Sequence, residues 1–219
     1  MRFASKHSIR FSLRRAGRGQ AGFSLVEVLI AMILMLVVLG AIYTIWFGLQ
    51  RSYSFTDDDF TAQDQSRRAL GEIVELIRTA RQPDPAPSED LNLVIYLADA
   101  NELICWTDVD RDQAHDLELV RFRVDTASRT LFRDTSDAGD PAFPTGESVR
   151  LITNWVSNSA SRPLFGYVGA DGQPMATPVA DPTLIREVQI DLLIDVYEGS
   201  RPIAHELRSV VQPRNLRQY

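Results

Sequence analysis

One glutamate stands in a stretch that is otherwise apolar. From Phe23 to Leu49 there are 27 residues without Lys, Arg, Asp, His or Pro, and Glu27 is their single charge. A carboxylate in such a run costs up to a few kcal/mol, less near a membrane interface, and calls for a partner; without one it snorkels to the headgroups or is protonated there. A second set of oxygen ligands is spaced like the start of a calcium loop: Asp108, Asp110 and Asp112, with Asp116 at the ninth position. Gln113 occupies the position that needs glycine, and Leu119 stands where a bidentate Glu belongs. An acidic turn between two strands is therefore preferred to a calcium site. Imidazoles are limited to His7, His115 and His205, and no Gly-x-Ser-x-Gly, His-Glu-x-x-His, phosphate-binding loop or Cys-x-x-Cys is present. His205 reads as a surface residue, and Cys105, beside Trp106, as a small buried hydrophobe. Neither an enzyme nor a bound cofactor is expected.

The element that carries Glu27 is long. At about 1.5 Å per residue the apolar run makes a helix of roughly 40 Å, more than the ~30 Å hydrocarbon core of a bilayer. Before it, residues 1–22 hold six basic residues and no acid; the whole chain has 23 Lys+Arg and 29 Asp+Glu, so everything after Gly22 sums to −12. The basic leader belongs in the cytoplasm and the rest of the chain outside. So acidic a domain is a poor binder of nucleic acid, which depends on neutralising phosphates. A secretory signal is cut after its apolar run at small residues. Here Gln50-Arg51-Ser52-Tyr53 follows instead, and the small residue at a junction is Gly22, before the run.

Gly22-Phe23-Ser24-Leu25-Val26-Glu27 resembles the class III signal of type IV prepilins and type II secretion pseudopilins. The resemblance implies that prepilin peptidase cuts after Gly22, that the new N-terminal Phe23 is methylated, and that Glu27 is the assembly glutamate. The α-amine of processed Phe23, in a neighbouring subunit or in the assembly machinery, is then the natural partner of Glu27. Implied partners are the peptidase, other pilins or pseudopilins, the cytoplasmic-membrane assembly platform, and lipid before assembly.

Residues 50–81 contain no Pro, and Leu70, Ile73, Ile77 and Ala80 follow the spacing of one helix face, so a single helix is expected over 23–81. Asp57-Asp58-Asp59 reads as a solvated face, or as a break where one aspartate caps a second segment. Gly40 and Gly48 suit close helix packing or a local loosening. Pro83, Pro85 and Pro87 end the helix, making 82–90 a linker. Across 91–219 the periodicity becomes two. Leu91, Leu93 and Ile95 alternate with less apolar neighbours, as do Val120–Val124 and Val188–Val196. Glu102–Trp106, Arg129–Arg133, Pro163–Val168 and Ile203–Val211 are further strand candidates, with Asp125–Ser128 as a hairpin connection. Asp134–Glu147 and Gly169–Thr183 read as long loops. The fold expected is α+β and pilin-like: a long N-terminal helix, apolar and transmembrane over about 23–49, packed through its polar half on an antiparallel sheet.

The outer domain is also similar to the PilW/PulJ type of minor pilins, through Asp108–Asp112, Leu119–Val124, Thr130–Arg133, Leu164–Tyr167, Val188–Ile194 and Ser209–Asn215. A single cysteine cannot close the disulfide-bounded loop of many major pilins. The resemblance implies a structural filament subunit of a pilus or a secretion pseudopilus. A single-pass membrane protein that never assembles is the contrasting reading.

Overall fold

The computed structural model describes residues 22–84, 89, 93–110, 117–136, 143, 146–197 and 205–214. The basic leader up to residue 21 lies outside them, as do Leu91 and most of the expected linker. The chain divides into two compact units, residues 1–52 and 53–219.

Helix α1 runs without interruption from Leu25 to Thr79, two residues inside each expected end. Up to residue 54 every described side chain is exposed. The buried face begins at Ala62 and continues through Ser66, Ala69, Ile73, Leu76 and Ile77, alternating steps of three and four residues along one side. Small residues lead this face, so the helix backbone approaches the sheets closely; the larger aliphatics follow, each contributing about 1.5–3 kcal/mol by burial. Past Thr79 the helix is closed by an Ala80 N–H to Ile77 carbonyl bond of 3.3 Å. It is tied to the strand Glu102–Thr107 by Arg81 N–H to Trp106 O at 3.0 Å and by the hydroxyls of Thr79 and Thr107, also 3.0 Å apart.

Two antiparallel sheets replace the single sheet expected. The first is a meander of β1 (Ile95–Ala98), β2 (Glu102–Thr107), β3 (Glu118–Asp125), β4 (Thr130–Ser136) and β5 (Ser148–Ile152), in that order. The second has the order β7-β6-β8-β9, from β6 (Phe165–Gly169), β7 (Pro174–Met175), β8 (Ile185–Ile194) and β9 (His205–Val211). Leu93 lies before β1 rather than in it. The loop expected over Asp134–Glu147 starts later, because β4 continues to Ser136 with Asp134 fully buried. The loop Gly169–Thr183 contains β7 and leads into a 3-10 turn, Pro182–Leu184, capped by Asp181. Helix α1 and the inner faces of both sheets share one core that includes Ile73, Ile77, Leu103, Val120, Phe122, Tyr167, Ile190 and Leu192.

Strand β2 is buried on both faces. Leu103 and Cys105 enter the main core, while Ile104 and Trp106 join Leu119 in a second cluster covered by Phe143, Tyr96, Leu97 and Leu117. That is why Leu103–Trp106 has no polar alternation. The β3–β4 hairpin turns as expected: Asp125 accepts from Ala127 N–H at 3.0 Å and from the Ser128 hydroxyl at 2.6 Å. These bonds favour the charged form, so the Asp125 carboxyl is held below its ordinary pKa, the serine hydroxyl being the main cause.

Candidate functional site

Gly22 and Phe23 precede α1 in an exposed segment outside the helix, with Phe23 at 79% of its full exposure. Ser24 stands immediately before the helix, and its carbonyl accepts from Glu27 N–H at 2.9 Å and Val28 N–H at 3.2 Å. Ser24-x-x-Glu27 has the spacing of a capping box, a signal that the sequence reading passed over. Glu27 thus lies in the first helical turn, where the free N–H groups and the helix dipole favour a negative charge. The three expected residues Gly22, Phe23 and Glu27 are within one turn of a helix start.

Nothing inside the chain explains the glycines of this unit. A Cβ built on Gly22, Gly40 or Gly48 would meet no atom within 4 Å, and none of the three has a positive φ. Glycine in a helix interior costs about 1 kcal/mol relative to alanine, and nothing among the described residues offsets that cost at Gly40 or Gly48. Within this stretch the Thr44 hydroxyl satisfies itself on the carbonyls of Gly40 and Ala41, both at 2.8 Å. The stretch is long and apolar enough to cross a membrane, and its most apolar window buries no residue within the chain.

Among the described residues no three His, Cys, Asp or Glu side chains converge. Asp108 is half-buried and Asp110 exposed; Asp112, His115 and Asp116 lie outside the described residues, as does His7. Beside the acidic turn, Glu118 accepts from Val109 N–H at 2.8 Å. Burial raises its carboxyl above the ordinary pKa, against the pull of that N–H, and Asp110 and Asp108 push the same way as burial.

Catalytic groups do not assemble elsewhere in the described residues. Cys105 is fully buried, and desolvation pushes its thiol up to about 12. Tyr167, buried in the core, donates to the Asp99 carbonyl at 2.8 Å, and burial raises its phenol well above the usual range. An open cleft of about 620 Å³ beside the β1–β2 turn is lined by Asp99, Asn101, Glu102, Arg121 and Arg123 among others, without His, Cys or Ser. Its arginines are already engaged: Arg121 Nε lies 2.8 Å from Glu102, and Arg123 Nε donates to buried Asp134 at 2.7 Å while stacking on Phe132.

Two expectations are corrected. Asp57–Asp59 neither breaks the helix nor forms a fully solvated face, because Asp58 and Asp59 are half-buried. Asp58 accepts from the Tyr197 hydroxyl at 2.7 Å, and Asp59 Oδ1 lies 2.7 Å from His205 Nε2. His205 is accordingly a partner of the helix rather than a plain surface residue. Its place on the inward-facing side of β9, in phase with Leu207, Ser209 and Val211, was the available signal.

Residues 17–43 match the family model for the prokaryotic N-terminal methylation motif. No curated protein and no solved structure matches the chain.

Proposed function

We propose that this chain, which carries a type IV prepilin-like signal at residues 17–43, is a minor pilin or pseudopilin of the PilW/PulJ type: a structural subunit of a pilus-like filament and not an enzyme. It is inserted with the basic leader in the cytoplasm and the domain outside, cut after Gly22 by prepilin peptidase, and methylated at Phe23. From the inner membrane it passes through the assembly platform into a filament of other pilins. A secretion pseudopilus and a type IV pilus are both settings for that role.

The observation that carries this reading is the placement of Gly22, Phe23 and Glu27 at the exposed head of a fully exposed apolar helix. Each would have a counterpart outside the chain: a peptidase for Gly22-Phe23 and an amine for Glu27. An exposed, unhindered Gly22-Phe23 peptide is accessible to a protease. A carboxylate in the first turn lies about one turn from the amine that cleavage would create, and such an amine on a neighbour would neutralise it. An unpartnered apolar helix needs lipid first and other helices afterwards.

Mass spectrometry of the mature N-terminus of the membrane-resident protein tests the proposal. N-methyl-Phe23 is expected. A retained Met1 leader would overturn it and favour a membrane protein that does not assemble.

A further inference from the structure

We propose that residues 53–61 of α1 form a detachable strap, closed onto the globular unit by an aspartate clasp and able to open while the core stays folded. The inference goes beyond filament assembly and does not depend on it.

Three observations carry it. Intrinsically, the helix is weakest here. Ser52-Tyr53-Ser54-Phe55-Thr56-Asp57-Asp58-Asp59-Phe60-Thr61 contains ten consecutive residues from the poorer half of the helix-propensity order, and none of Ala, Leu, Met, Gln, Glu, Lys or Arg. Good helix formers return with Ala62-Gln63. In packing, no side chain from Tyr53 to Thr61 is fully buried, whereas Ala62, Ser66, Ala69, Ile73 and Ile77 are.

The third observation is the clasp. The Tyr197 ring stacks on Phe55, with centroids 4.6 Å apart and an interplanar angle of 13°, and its hydroxyl donates to Asp58 Oδ2 at 2.7 Å. His205 Nε2 lies 2.7 Å from Asp59 Oδ1 and 3.3 Å from Gln63 Nε2, and Gln63 Nε2 donates to Asp59 Oδ2 at 3.0 Å. Hydrogen bonding to Asp58 raises the Tyr197 phenol, as a donor held to a carboxylate must. Such contacts reach outward from half-exposed side chains and separate without opening a cavity.

The sequence also favours the alternative state. With the strap unwound, Thr61 becomes the N-cap of the helix that resumes at Ala62, a position that threonine suits. Nine residues span about 13 Å as helix and up to about 30 Å extended, so opening supplies slack just beyond the apolar segment.

Hydrogen exchange on the full chain in detergent micelles, read by mass spectrometry, tests this. In the wild type, amides 53–61 should exchange at least tenfold faster than amides 66–79. Tyr197→Phe combined with His205→Ala should speed 53–61 by roughly a further tenfold and leave 66–79 unchanged. Ser54→Ala with Asp57→Ala raises helix propensity at exposed positions, leaves the clasp intact, and should slow 53–61 several-fold. The strap is refuted if 53–61 exchange as slowly as 66–79, if neither pair of substitutions moves them, or if both segments lose protection together.

Discussion

Carboxylates in this chain are sorted by what surrounds them. Glu118 and Asp125 sit at opposite ends of β3 and shift in opposite directions, one raised by burial and one lowered by hydrogen bonds. A raised carboxylate binds its proton more tightly in the folded state, so Glu118 opposes folding above its folded pKa, and that penalty disappears as pH falls through the folded value towards the unfolded one. Asp125 does the reverse: its stabilisation is present above the unfolded pKa and is lost as pH falls through the folded one. Glu118→Gln keeps an acceptor for Val109 N–H and removes the charge. It should stabilise the domain at pH 7 by less than about 1 kcal/mol, because the group is largely solvent-screened, with the gain vanishing in acid; urea unfolding at several pH values measures it. Cys105 makes a second residue-level prediction. A buried thiol with a pKa near 12 should resist a thiol reagent at pH 8 in the native protein and react fully once unfolded.

Among the elements, α1 performs two tasks with two compositions. Up to residue 54 its side chains are exposed among the described residues, and its second half completes the core shared by both sheets. Arg133 of β4 adds a polar tie, paired with Glu72 of the helix and, at 3.3 Å, with Glu147. The apolar contacts matter more. Ile73→Ala should destabilise the domain by about 2–5 kcal/mol, while Arg78→Ala on the exposed side should stay within about 0.5 kcal/mol, both by chemical denaturation. Strand β5 was missed because it is short and at a sheet edge, with only Ile152 fully buried. β7 was missed because two residues carry no periodicity.

For the molecule as a whole, an apolar helix bearing one carboxylate is joined to an acidic domain. Removing the carboxylate tests the proposed assembly role of Glu27 apart from processing. Glu27→Ala should still be cut after Gly22, because the peptide bond stays exposed, yet its co-purification with pilin partners should fall at least tenfold. Normal incorporation of that variant would count against the assembly role of Glu27.

Local sequence specifies the N-terminal unit: a glycine, an aromatic and a glutamate at fixed spacing before a long apolar run. Nothing distant has to fold for those residues to be placed, since one helix positions them all. It also determined most strands of the domain, because half-buried strands such as β3 and β8 alternate visibly. Tertiary structure decided what depends on contacts far apart in the chain. The strands divide between two sheets through pairings that no local period encodes. Asp58 and Asp59 face Tyr197 and His205, residues 139 and 146 positions away, so a run that looked solvated is a clasp. Long-range pairing turns on shape and register, and a polar residue looks the same in sequence whether water or a tyrosine is waiting for it.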